Sequence, residues 1–185
     1  MVLAANPLSP SSIATLLGLD VEEVFPLLSS VHSLLALQED IDQPVQLFHK
    51  SFPGFIIDPA RCTNSRFRVS LPDQHTELLV GCLQLMNRSL KQNVCNLPDG
   101  VMNCEVDDLK ERTEERIDRT LKYACRTWYK HLVDMTPTHT LKITPVLHGF
   151  LERRFLFWLE VLSVLGAVRE GVNALEVAAK WLDVR

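Results

Sequence analysis

The sequence predicts a mainly α-helical protein, with a winged-helix domain and its small two-stranded wing in residues 1–70 and an antiparallel helical domain in residues 71–185. Three observations predict this class. Apolar residues recur every three or four positions over most of the chain, which is typical of amphipathic helices. Apolar and polar residues alternate mainly between residues 34 and 49, which is typical of strands. The resulting order of helix, turn, helix, strand, loop and strand is that of a winged helix.

Composition places the chain among globular proteins, because 46% of its 185 residues are hydrophobic and 23% are charged. The longest apolar run, FLFWLEVLSVL, contains Glu160 and is shorter than the roughly 20 residues needed to span a bilayer. The N-terminus lacks the positive charge of a secretory signal. Five cysteines without a C-x-x-C pair indicate reduced thiols, a cytoplasmic location and no metal site.

Two helices and the wing are predicted in the first 50 residues. The first helix covers residues 11–17, with serines before it that can cap and Gly18 as its C-terminal stop. The second begins at Asp20, whose spacing to Glu23 resembles a capping box, and contains Pro26, which removes one helical hydrogen bond. Residues 34–39 and 44–49 are the two predicted strands, on either side of the acidic segment EDIDQP.

His49 ends the second predicted strand. Val45, Leu47 and His49 fall on one face of that strand, because successive strand side chains point in opposite directions. We therefore expect His49 on the inward face. The apolar residues that follow it recur at helical spacing, so His49 lies at a junction between a strand and a helix, where a side chain can reach out of the fold.

Residues after 70 are predicted to be helical, with a break over residues 93–108. The first long helix is expected to be capped by Asp73, the second covers ERTEERIDRTLKYACRTWYKHL, and the third follows an interruption at residues 136–139 and ends at Gly166. A short helix is expected over residues 174–182. The predicted core stripes are Leu79, Cys82, Leu83, Met86 and Leu90, then Ile117, Leu121, Ala124, Cys125, Trp128 and Leu132, then Leu147, Leu151, Phe155, Trp158, Leu162 and Leu165.

No motif in the sequence indicates catalysis. It has no phosphate-binding G-x-x-x-x-G-K-[ST] or G-x-G-x-x-G and no G-x-S-x-G elbow, so we expect no enzyme activity and no cofactor in the isolated chain. The charged run from residue 107 to 119 is expected to be a solvated helix face, with Glu115 and Arg119 able to pair at i, i+4. A DNA-binding winged helix is an alternative. Residues 1–58 carry seven acids and one base, however, which disfavours contact with phosphates.

Six stretches together resemble one family, and they cover nearly the whole chain. They are PLSPSSIATLLGLDVEEV, VHSLLAL, LFHKSFPGFIID, DQHTELLVGCLQLMNRSLKQNVCNL, YACRTWYKHL and FLERRFLFWLEVLSVLG. They resemble the segment that follows the NACHT nucleotide-binding domain in fungal NOD-like receptors of the STAND class of signalling ATPases. The most specific stretch is H-x-S-F-x-x-F-[LI], which begins at His49.

This resemblance implies a non-catalytic regulatory segment of an innate-immune receptor. Its partners would be a NACHT domain and a C-terminal sensor domain such as a WD-repeat propeller, with neither nucleic acid nor membrane bound. His49 would correspond to the winged-helix histidine that contacts the phosphates of ADP in the closed receptor, so ADP or ATP would matter only in a complete receptor. An imidazole can make such a contact, because it is a compact hydrogen-bond donor.

The chain also departs from the family pattern. It has no Walker motif and no NACHT domain, and Lys50 stands where many relatives have proline. Residues 1–10 resemble the tail of the first winged-helix helix, so we expect a truncated winged helix and a fragment of a longer protein. A standalone helical interaction module is the other alternative to the receptor segment.

Overall fold

A computed structural model describes residue 4 and residues 6–135 and 140–183. The chain is 62% helix, with nine α-helices and one two-stranded antiparallel sheet in the described part, so the mainly α-helical class with a short wing is confirmed. No helix among the described residues is long and apolar enough to cross a membrane. The elements are α1 (Pro10–Leu17), α2 (Val21–Ser29), β1 (Leu35–Ala36), β2 (Gln46–Leu47), α3 (Phe52–Ile57), α4 (Leu71–Ser89), a 3₁₀ turn (Asn103–Glu105), α5 (Leu109–Arg116), α6 (Arg119–Val133), α7 (Thr140–Arg153), α8 (Phe155–Val164) and α9 (Val168–Asp183).

Helix α1 starts one residue before its predicted start and ends at the predicted residue, and α2 starts directly after the predicted cap Asp20. The hydroxyl of Ser9 accepts a hydrogen bond from the Ser12 amide, and Gly18 ends α1 in the left-handed conformation at φ 67°. The carboxylate of Asp20 accepts the Glu22 amide at 2.9 Å, and α2 continues through Pro26. Short polar caps therefore set the two helix starts.

The wing is shorter than predicted. Each strand contains two residues, and Leu35 pairs with Leu47 in antiparallel register. The predicted alternation therefore stops at Leu47, two residues before His49. The prediction that His49 shares the inward face is wrong, because its side chain is exposed whereas Val45 is buried.

The loop between the strands is tied to two helices. The Ser11 hydroxyl of α1 donates to the Asp42 carboxylate at 2.5 Å, and the Ser11 amide donates to the carbonyl of Ile41. On the other side, the guanidinium of Arg119 in α6 lies 3.4 Å from the Asp42 carbonyl oxygen. The wing loop is thus anchored to the first turn of α6.

The first long helix begins earlier than predicted. Helix α4 starts at Leu71, with Pro72 in its first turn and Ser70 at the cap position, so the prediction of an Asp73 cap is wrong. Proline suits this turn because its missing N–H has no helical partner there. The predicted stripe of α4 is buried throughout, with each of its five residues at most 1% exposed. Residues 93–108 contain no α-helix, as predicted.

The predicted second long helix is two helices. Helix α5 ends at Arg116, and the carboxylate of Asp118 accepts the Leu121 amide at 2.7 Å and starts α6. The predicted pair of Glu115 and Arg119 does not form, because the break turns them apart and Glu115 pairs with Arg116 instead. The predicted core stripe nevertheless remains buried from Ile117 to Leu132.

The predicted third long helix is also two helices, separated at Arg154, where φ is −123°. Gly166 follows α8 at φ 62°, and the last helix begins at Val168 rather than at residue 174. The predicted interruption at residues 136–139 lies outside the described residues. Among the predicted stripe residues, Leu147, Trp158 and Leu162 are buried, and Leu151, Phe155 and Leu165 are half-buried.

One continuous core joins the two predicted domains, and the boundary at residue 70 stays a prediction. Helix α4 packs on α6 and α7, α6 packs on α9, and α1 packs on α4. At that last contact Gly81 touches the backbone of α1 so closely that a Cβ atom there would overlap the carbonyl oxygen of Leu16. A buried hydrogen bond of 2.8 Å also joins the hydroxyls of Ser12 and Thr120.

Candidate functional site

His49 lies in the turn between β2 and α3. The backbone on both sides of its ring is fixed, because the Phe48 amide donates to the carbonyl of Leu34 and the His49 carbonyl accepts the Phe52 amide, each at 3.1 Å. The imidazole itself makes no hydrogen bond with another residue in the part of the chain that the structure describes. A fixed backbone with a free ring suits contact with a group from outside the chain.

Aromatic and cationic residues surround this turn. The side chains of Phe48, Phe55 and Phe67 are 59%, 39% and 70% exposed. The Arg61 guanidinium lies over the Phe55 ring at 5.7 Å. We call residues 48–68 the wing surface, and its charged residues are Lys50, Asp58, Arg61, Arg66 and Arg68.

The wing surface therefore carries a local net charge of +3, although residues 1–58 as a whole are acidic. The net charge of residues 1–58 hides this basic surface, because that range includes seven acids and ends before Arg61, Arg66 and Arg68. An exposed face with cations and aromatic rings is suited to a partner with both anionic and apolar groups.

A pair of histidines lies between α4 and α6, where His131 is fully buried and His75 is half-buried. The Nδ1 atoms of His75 and His131 are 3.1 Å apart, and Nε2 of His131 lies 2.9 Å from the Tyr123 hydroxyl. Nε2 of His75 lies 3.7 Å from a carboxylate oxygen of Asp134. Burial, and then the neighbouring His75, lower the pKa of His131 to about 4, and burial also lowers the pKa of His75.

The lowered pKa values favour the uncharged form of both rings, and the nitrogens of His131 both have partners within the protein, so the pair is a structural network rather than a site open to ligand. The pair was not predictable from the sequence, because His75 and His131 are 56 residues apart and carry no local signature. Only the packing of α4 on α6 brings them together.

A cleft of about 300 Å³ lies between the segment before α1, the wing loop and α6. Four cations of α6 line it, at positions 119, 122, 126 and 130, and α6 contains no acidic residue. Three of them have acceptors already: Arg119 approaches the Asp42 carbonyl, Lys122 pairs with Glu114 at 2.7 Å, and Arg126 pairs with Glu170 at 2.6 Å. Two of the four cations are thus neutralised by carboxylates of the protein itself.

The cysteines are free in the described residues, and all except Cys104 are buried. Burial raises the pKa values of the Cys82 and Cys125 thiols, so neither is a reactive thiolate. No three histidine, cysteine or acidic side chains come together among the described residues in a way that could bind a metal ion. The exposed His49 is therefore the candidate that the sequence and the geometry single out together.

Comparison with known proteins gives one informative relative. The chain is 24% identical to the vegetative incompatibility protein HET-E-1 of Podospora anserina, a fungal NACHT and WD-repeat protein, over 193 aligned positions. The alignment covers 92% of this chain and 14% of HET-E-1. The match indicates distant homology to a NACHT-related region. No family model and no solved structure matches the chain.

Proposed function

We propose that this chain is a regulatory segment of a STAND-type signalling receptor, which couples the state of a NACHT nucleotide-binding domain to a sensor domain. The winged helix closes over the NACHT domain, which is supplied by another segment or another chain. The helical part transmits the closed or open state to the sensor. The observation that carries the proposal is the match to HET-E-1 over 92% of the chain.

The position of His49 supports a role at the nucleotide. Its imidazole is exposed at the end of the wing, on a backbone fixed by hydrogen bonds to Leu34 and Phe52. The surrounding wing surface is locally basic, which favours an anionic neighbour. In the closed receptor the His49 ring donates a hydrogen bond to a phosphate oxygen of ADP.

Coupling then follows from differential binding. A ligand shifts a conformational equilibrium only by the difference of its affinities for the two conformations. ADP contacts His49 in the closed arrangement alone, so ADP stabilises that arrangement, and loss of the contact favours the open one. His49 is a nucleotide sensor and not a catalytic residue, and we infer no enzymatic activity for this segment.

A reconstituted receptor in which this segment is joined to a P-loop-containing NACHT domain tests the proposal. His49→Ala removes a hydrogen bond to a charged group, which contributes about 1.5 to 3 kcal/mol. We expect ADP to dissociate roughly ten- to a hundredfold faster, and signalling without a stimulus to rise. Release of a fluorescent ADP analogue, measured by stopped flow, gives the rate.

His32→Ala is the matched control, because His32 is also exposed in the winged helix but lies before β1, outside the His49 motif. This variant should release ADP at the rate of the parent receptor. Thermal melts of both variants report folding separately. If His49→Ala lowers the melting temperature while the folded fraction retains ADP normally, His49 is structural and its sensor role is refuted.

A further inference from the structure

The cations of α6 lie on one face of the helix, and that face lines the cleft between the segment before α1, the wing loop and α6. They are Arg119, Lys122, Arg126 and Lys130. Their intervals of three, four and four residues place them on one side of the helix. The other described residues that line the cleft include two carboxylates, Asp42 and Glu170, so the lining carries a net charge of +2. The cleft therefore favours an anion.

The carboxylates of the protein leave part of this positive charge uncompensated. Lys122 pairs with Glu114, and Arg126 pairs with Glu170. Lys130 makes no ion pair with any residue that the structure describes. Arg126 and Lys130 are four residues apart, and like charges at this spacing on a helix repel each other. The Arg126–Glu170 pair lies at the surface, where ion pairs add little stability, so an incoming anion can compete with Glu170.

The floor of the cleft is buried and comes from two parts of the chain. Leu8, Ser9 and Ser12 belong to α1 and the segment before it, and Tyr123 and Thr127 belong to α6. The volume of about 300 Å³ is at the lower end of the range for small-molecule sites. Buried walls limit the access of water, which strengthens the attraction between the cations and an anion in the cleft. The shape suits a compact ligand.

We propose that the cleft binds a phosphate group between Arg126 and Lys130, either as free phosphate or as part of a small phosphorylated molecule. A phosphate group carries a charge of about −1.5 to −2 at neutral pH, which matches the charge of the lining better than the single charge of a carboxylate does. The guanidinium of Arg126 can donate two hydrogen bonds to phosphate oxygens, and the ammonium of Lys130 donates another. The site contains no residue of the His49 motif and does not depend on the proposed function.

NMR titration of the full chain tests the proposal, with sodium phosphate and ribose 5-phosphate as separate probes in about 50 mM salt. We expect both probes to shift the amide signals of Thr127 and Lys130, with a Kd of about 0.1 to 1 mM. Tighter binding of ribose 5-phosphate would identify a phosphorylated small molecule as the ligand. Equal affinities would identify the phosphate group alone.

Three substitutions test the contacts. Lys130→Gln should weaken binding about tenfold, because it removes a charged hydrogen-bond donor. Glu170→Gln should strengthen binding about two- to fivefold, because it frees Arg126 and removes a negative charge from the cleft. Lys91→Gln is the matched control: it makes the same change of charge at an exposed lysine outside the cleft, and it should leave the Kd unchanged.

Thermal melts without a probe check that each variant folds, which is expected because all three side chains reach the surface. If neither probe shifts the α6 signals at about 10 mM, the proposal is overturned. An equal loss of affinity in Lys130→Gln and Lys91→Gln also overturns it, since the anion would then respond to net charge alone. Weaker binding by Glu170→Gln would likewise contradict the proposed contact with Arg126.

Discussion

The helical part and the winged helix use their aromatic residues in opposite ways. In the helical part, Trp128, Phe150 and Trp158 are fully buried, and their ring centroids are 5.7 to 6.0 Å apart in edge-to-face contacts. In the winged helix, none of the five phenylalanines between residues 25 and 67 is buried.

The aromatic residues of the helical part stabilise the fold, whereas those of the winged helix lie at the surface, where a partner can contact them. A buried aromatic triangle removes a large apolar area from water and holds the helices together. Exposed phenylalanines contribute little to folding, but they present apolar area beside the cations of the wing surface. The helical part therefore acts as the scaffold, and the winged helix carries the surface that a partner would contact.

The largest expected effect tests the scaffold. Trp158→Ala removes a fully buried side chain whose indole N–H donates to the Cys125 carbonyl at 2.9 Å, and it should cost about 3 to 5 kcal/mol of unfolding free energy. Phe67→Ala and Glu115→Ala change exposed side chains and should each stay within about 0.5 kcal/mol. Denaturant melts measure all three. Equal losses of unfolding free energy in Trp158→Ala and Phe67→Ala would contradict the difference between the two regions.

A second effect comes from the histidine pair inside the scaffold. The pKa of His131 is about 4 in the folded protein against an ordinary value of 6.5, so between these values the unfolded chain binds more protons. The contribution of His131 to the free energy of unfolding is therefore fully present above pH 6.5. It decreases by up to about 3 kcal/mol as the pH drops towards 4.

Melts at a series of pH values measure this loss, and His131→Gln is the reference because it cannot titrate. The variant should lose most of the pH dependence between 6.5 and 4.5, even if it is less stable at pH 7. If its pH dependence equals that of the parent chain, other groups titrate in this range and the pair is not the cause.

The smallest of the three effects tests the junction of the two regions. Gly81→Ala places a Cβ atom against the Leu16 carbonyl, so α1 and α4 must separate. Alanine favours a helix by up to about 1 kcal/mol over glycine, but the overlap with a backbone atom should outweigh this and give a net loss of about 1 to 3 kcal/mol. Gly54→Ala is a suitable control, because nothing lies near that position. A stabilised Gly81→Ala variant would mean that the two helices are not in tight contact.

In α4 and α6, hydrophobic periodicity predicted the buried faces well and the helix boundaries poorly. The stripe from Ile117 to Leu132 is buried as expected, although the helix starts only after Asp118. A break of one or two residues keeps the apolar residues on the same side, so the pattern does not reveal it. The boundary depends on Asp118 capping the Leu121 amide, and a carboxylate in a charged run gives no distinctive signal for that.

The candidate site was predictable only in part. The position of His49 next to a helix was correct, but its burial was not, because the wing strand ends at Leu47 and a short strand gives too few residues to fix a face. The histidine pair required the packing of α4 on α6, which brings together two residues that are 56 positions apart. Local patterns report which residues are apolar, whereas tertiary contacts decide which of them remain exposed.

The attachment of the wing loop to α6 has a mechanical consequence. Arg119, the first residue of α6, reaches the Asp42 carbonyl, and His131, near the last turn of the same helix, is locked to His75 and Tyr123. Between them α6 lies against α4 and α9. Helix α6 therefore connects the wing loop directly to the buried His131 over about 20 Å. A force on the wing loop would be transmitted along this helix to the core without a flexible linker between them.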